Sequence, residues 1–64
     1  MLYINKTLDF LCDNVKIGDK IEGISYLDCV TLLKHMREIN KTIFFSLFWN
    51  EKNELCCIIM GSNI

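Results

Sequence analysis

The chain has 64 residues, a formal net charge of -1 and 52% apolar residues, none of them alanine. That length makes one small domain, residues 1–64, burying only about 60% of its unfolded surface. Seven Lys+Arg against eight Asp+Glu leave no clustered basic face for nucleic acid, and three Gly with no Pro exclude a linker or disordered composition; the uncharged apolar-rich run of residues 42–50 is far short of the roughly 20 residues of a membrane span.

From the N-terminus, Met1–Asn5 carries no basic region and Asp9 and Asp13 interrupt any apolar stretch, so a targeting peptide is not read and a reducing cytoplasm is expected. Asn5 or Thr7 caps a short helix through Leu8, Leu11 and Cys12 that ends near Asn14. Val15-Lys16-Ile17 alternates as a brief strand, with breaks at Gly18-Asp19 and Gly23; Met1–Ile4 as an edge strand is the alternative for this region. Ser25-Tyr26-Leu27-Asp28 has the spacing of a capping box in its Asp form, with Ile24 and Cys29 placed as a hydrophobic staple. Cys29, Val30, Leu32, Leu33, Met36 and Ile39 then recur at helical spacing, so a helix is predicted over about 26–39, terminated at Asn40. Beyond it the aromatic and β-branched run of residues 42–49, the polar loop Asn50-Glu51-Lys52-Asn53 and the apolar run 54–60 read as an antiparallel hairpin. The fold class expected is α+β: a short helix, a long amphipathic helix and a C-terminal hairpin.

Alternation gives the hairpin two apolar faces. Ile43, Phe45, Leu47 and Trp49 share one, with Leu55, Cys57 and Ile59; Phe44 and Phe48 share the other, with Cys56, Ile58 and Met60. An antiparallel sheet covered on one side normally shows one wet face. Either the two helices sandwich the sheet, or a second copy covers what is left. The short helix offers little cover, so a homodimer is expected, with Phe44, Phe48, Ile58 and Met60 as the self-association residues. Edge-to-edge strand pairing is a second way to bury the surplus.

The candidate chemistry is thin. Cys12, Cys29, Cys56 and Cys57 contain no C-x-x-C spacing, and adjacent strand cysteines point to opposite faces, so all four are expected as free, metal-free thiols. His35 lies on the polar side of its helix, without a nucleophile nearby. Asp9 and Asp13 read as the wet side of a short helix, and Asp19 and Glu22 as turn residues. Gly18-Asp19-Lys20 lacks the other glycines of a phosphate loop. A chain this short also has little room for a concave pocket. No enzyme activity and no cofactor are expected, and the uncharged aromatic run is not a base-stacking platform.

What remains is action by protein contact. Nine Ile and six each of Asn and Lys, with no Ala or Pro and a single Arg, point to an AT-rich coding sequence. With the small size, this suggests a phage or mobile-element accessory protein that inhibits a host enzyme, such as a bacterial defence system. The alternatives are an antitoxin-like or small regulatory protein, or a subunit of a larger assembly. The target is expected on the polar helix face, Lys34, His35 and Glu38, and at the hairpin tip, Asn50, Glu51, Lys52 and Asn53, flanked by Trp49.

Overall fold

A computed structural model of the protein describes residues 1–62. It is an α+β fold whose elements run β1 (Leu2–Ile4), α1 (Leu8–Asn14), β2 (Lys20–Glu22), α2 (Tyr26–Ile39), β3 (Phe44–Trp49) and β4 (Leu55–Met60). The strands form one mixed sheet in the order β1-β2-β4-β3. β1 and β2 are parallel, joined by α1 as a crossover, and β4 runs antiparallel to both of its neighbours.

Both helices begin on side-chain caps. The Thr7 hydroxyl accepts from the Phe10 N–H at 3.3 Å, and the Ser25 hydroxyl accepts from the Asp28 N–H at 3.1 Å. Each thereby satisfies one of the amide groups that a helix start leaves without a partner. Thr7, not Asn5, is the cap of α1; Asn5 instead takes a positive φ of 51° and turns the chain out of β1. At the far end of α2 the Asn40 N–H donates to the Met36 carbonyl, and the Asn40 side chain holds Thr42 and Ser62.

The helices lie on one side of the sheet. Leu11 of α1 and Cys29, Leu32 and Met36 of α2 form a single cluster with Tyr3, Ile21, Cys57 and Ile59, which the register places on one face. A sandwich with one helix on each side is therefore not what forms. The reason is topological: α1 crosses from β1 to the adjacent parallel β2, and α2 from β2 to β3 on the same side. Ile39, expected in the apolar stripe, is exposed at the end of α2, beyond the sheet.

Three other expectations are corrected. Val15–Ile17 is a connector, and the strand of this region lies later, at Lys20–Glu22, which takes Glu22 out of a turn and into the sheet. Met1–Ile4 does contain an edge strand, so edge strand and short helix coexist. The hairpin strands begin later than expected, at Phe44 and Leu55, because Ile43 is buried beneath the end of α2 and Glu54 belongs to the turn.

Asp19 is the one buried charged side chain among the described residues. Its carboxylate accepts from the Met1 ammonium and from the Lys16 N–H, each at 2.8 Å. It fastens the start of β1 to the loop before β2, which the Lys20 N–H reinforces by donating to the Met1 carbonyl.

Candidate protein-binding site

The face of the sheet opposite the helices carries a polar band that the hairpin alone does not suggest, with the exposed Leu2 and Ile4 of β1 on one side of it and the hairpin on the other. β2 crosses its middle, and on that side β2 presents Lys20 and Glu22. Their head groups approach to 3.4 Å, and the Lys20 ammonium lies 5.2 Å from the centre of the Phe48 ring. The stems and the cation cover part of Phe48 and Ile58, which are half-buried, and Cys56 beneath them is fully buried. Of the four expected self-association residues, Phe44 and Met60 are exposed and opposite one another at the end of the hairpin; Phe48 and Ile58 are not. The residue types of β2 provide this cover, which the hairpin sequence could not reveal.

A second apolar exposure lies at the other side of β3. An open cleft of about 420 Å³ is lined by Tyr26, Leu47, Phe48, Trp49 and Leu55. Tyr26 is 68% exposed, Trp49 66% and Leu47 46%, with Leu27 next to Tyr26 also open to solvent. The cap at Ser25 starts α2 beside the hairpin tip, so its first residues face the last residues of β3 across the cleft. This volume is within the range of small-molecule sites, so a chain of 64 residues does have room for a concave surface. Its lining is aromatic and aliphatic, with the Tyr26 hydroxyl but no carboxylate, imidazole, amine or thiol.

The adjoining hairpin tip is rigidly built. The Asn50 Oδ1 accepts from the Lys52 and Glu54 N–H groups at 3.0 and 2.9 Å, and its amide donates to the Glu54 carboxylate at 3.0 Å. Asn53 supplies the positive φ, 60°, that reverses the chain. Glu51, Lys52 and Asn53 are left exposed and Asn50 is used internally. Trp49 thus stands between an apolar cleft and a fixed polar loop.

Lys34, His35 and Glu38 are exposed on α2 but do not join this site. Eight or more residues at about 1.5 Å rise carry them some 12 Å or more along the helix from Tyr26. The expected target surface therefore divides in two, and the tip is the part that gains an apolar cleft. In the sequence Tyr26 and Leu27 read only as positions of the capping box; two large apolar residues in the first turn after a cap, outside the stripe that begins at Cys29, are the signal for an exposed apolar surface.

The thiols are placed for packing. Cys29, Cys56 and Cys57 are buried and Cys12 half-buried, all unbridged. Burial pushes the Cys57 thiol up to about 12, helped by its neighbours Cys29 and Cys56. Burial likewise raises Cys29, against an opposing hydrogen bond with Cys57. Cys12 is raised by burial and then by Asp9 and Asp13. Among the described residues no three His, Cys, Asp or Glu side chains are grouped to hold a metal ion, and no helix is long and apolar enough to cross a membrane.

The raised Cys57 thiol sets an alkaline limit on stability. Above the ordinary thiol value of about 9 the unfolded chain loses this proton while the folded chain retains it. Unfolding is then favoured by rising pH, so stability is full below pH 9 and declines towards pH 12, with a slope of up to about 1.4 kcal/mol per pH unit. Urea titrations from pH 8 to 11 on the parent and on Cys57→Ala should show the decline shallower in the variant. Parallel slopes would remove Cys57 as the cause.

The chain matches no protein-family model, and no curated protein or solved structure is significantly similar to it.

Proposed function

We propose that this protein acts by binding another protein, without catalysis, and that the target seats an apolar side chain in the cleft between Tyr26 and Trp49. The observation that carries this reading is the cleft itself: three large apolar side chains left substantially exposed beside a polar loop whose shape is fixed by its own hydrogen bonds. Tyr and Trp in such a setting are the residue types that anchor protein interfaces, and the polar rim of Glu51, Lys52 and Asn53 supplies orientation. The buried thiols, the exposed His35 and a cleft lining that has no carboxylate, imidazole, amine or thiol favour binding over chemistry. The protein works as a homodimer in this reading, because the apolar surface exceeds what its own helices cover. Small size and AT-rich coding support a phage or mobile-element accessory protein, with a host enzyme, including one of a defence system, as the target.

Peptides selected from a random displayed library against the pure protein provide the test. Their binding should quench or shift Trp49 fluorescence and perturb the amide resonances of Tyr26, Leu47 and Trp49. Trp49→Ala should weaken them about 30-fold or more, the scale of an anchor residue worth about 2 kcal/mol, with the wild-type circular dichroism retained because Trp49 is mostly exposed within its own chain. Peptides that perturb Lys34, His35 and Glu38 instead, and ignore Trp49→Ala, would move the binding surface to the helix face.

A further inference from the structure

We infer that the free edge of β3 is occupied by the β3 strand of a second copy, antiparallel and centred on Leu47, so that two four-stranded sheets become one. The inference deepens the reading above by naming the first partner and the atoms that join it.

The free edge can be read from the ladder. The Asn50 N–H donates to the Glu54 carbonyl, and antiparallel pairs alternate between bonded and non-bonded. Phe44, Ser46 and Phe48 therefore direct their backbone groups to β4, while Phe45, Leu47 and Trp49 direct theirs outward. The outward carbonyl of Ile43 is already taken by the Arg37 Nε at 2.8 Å, and the Ile43 N–H by the Asn40 carbonyl. Three residues are left, each with one donor and one acceptor.

This edge carries none of the devices that protect edge strands. Residues 44–49 include no charge and no proline, and the register with β4 is unbroken from Phe44 to Trp49, without a bulge. The opposite edge, β1, is three residues long and offers much less. A β3-to-β1 contact would also be head-to-tail and open-ended, whereas β3 to β3 closes on a two-fold axis.

The available atoms select one register. With Leu47 opposite the partner's Leu47, Phe45 falls opposite the partner's Trp49, and all outward groups of both strands pair. Sliding by two residues either way pushes one residue of each strand against Ile43, whose groups are occupied, or against the tip loop. No like charges face each other in the chosen register, because Phe44 to Asn50 is uncharged. The pairing covers the bare edge backbone and the flanks of Phe44, Leu47 and Trp49 that face the second strand, and leaves Tyr26 and the outer side of Trp49 open to the cleft. On the other face the Lys20–Glu22 pair separates the exposed Leu2 and Ile4 from Phe44 and Met60, so the apolar surface there is divided by charge. In the paired sheet the partner's Phe45 stands beside Trp49, so each cleft gains a wall from the second copy.

A charge swap at the two-fold axis provides the test. Sedimentation equilibrium at tens of micromolar should give wild type at twice the 7.5 kDa chain mass. L47K and L47E should each be monomeric, since like charges then face each other, and an equimolar mixture should recover the dimer. Leu47 is partly exposed, so both variants should keep the wild-type circular dichroism. Hydrogen exchange on wild type needs no variant: the Phe45, Leu47 and Trp49 amides should exchange on the order of 100-fold slower in the dimer than in a diluted, monomeric sample. A monomeric wild type, unprotected outward amides, dimers that persist in both charge variants, or a mixture that stays monomeric would each overturn the pairing. The selected peptides separate the two readings. Peptide binding by a monomeric wild type leaves the cleft and removes the pairing, and a dimer that binds none does the reverse.

Discussion

Truncating Leu32 to alanine is expected to cost about 3 kcal/mol and to leave the protein close to unfolding at 37 °C. Leu32 is fully buried at the centre of α2, inside the cluster that joins both helices to the sheet. Removing a buried leucine side chain costs its transfer energy and leaves a cavity, in all about 2–5 kcal/mol. A domain of this size has only roughly 3–10 kcal/mol of stability in total. Leu27 provides the control, since it lies in the same helix and is 74% exposed. Leu27→Ala should change stability by less than about 0.5 kcal/mol. Thermal unfolding at one fixed protein concentration, because self-association adds to the midpoint, should show a drop of about 12–24 °C for Leu32→Ala. Equal midpoints for the two variants would mean that the α2–sheet contact does not hold the fold together.

The same helix shows why some of the structure could be read from the residues. Ser25 and Asp28, followed by the stripe of Cys29, Leu32 and Met36, state a start, a face and a length within one continuous segment, and the structure repeats them. The hairpin was readable for the same reason: β3 and β4 pair across a short loop, and alternation along six residues is enough to show two faces. β1 and β2 are different. Each is three residues long, too short for a period of two to be distinguished from chance, and their pairing joins residues such as Tyr3 and Ile21 that only the crossover of α1 brings together. Once β1 and β2 are placed, Lys20 and Glu22 fall across the open face and Leu2 and Ile4 join it beyond them. The cleft was hidden for a related reason. Trp49 and the polar tip could be picked out locally, but the position of Tyr26 beside them depends on how α2 docks, which no local pattern encodes.

Replacing Gly23 by alanine is expected to destabilise the fold by about 2–3 kcal/mol, clearly more than the same change at Gly18. Gly23 joins β2 to the cap of α2 and has a φ of +73°, where a side chain costs about 1–2 kcal/mol in backbone conformation. Gly18 has a φ of +96° with nothing near its missing Cβ, so Gly18→Ala measures the conformational cost alone. At Gly23 an added Cβ would run into the Asn5 Oδ1, with the Asn5 Cγ at 3.1 Å and a Glu54 carboxylate oxygen at 3.3 Å. The Asn5 backbone is fixed by its positive φ and by its N–H donating to the Glu22 carbonyl at 3.0 Å, so the exposed carboxamide must rotate away to make room and gives up its present rotamer. The Gly23 N–H meanwhile donates to the Leu55 carbonyl at 3.0 Å, so a shift of this residue would loosen the start of β4 and, through it, the hairpin that carries Trp49. A double-mutant cycle isolates the steric part. In an Asn5→Gly background, Gly23→Ala should cost no more than Gly18→Ala does, because the obstructing carboxamide is gone and only the dihedral term remains. Urea unfolding of the four combinations reads the coupling directly. Additive costs at positions 5 and 23 would show that the two turns do not press on one another, and the extra penalty at Gly23 would then belong to its bond with Leu55.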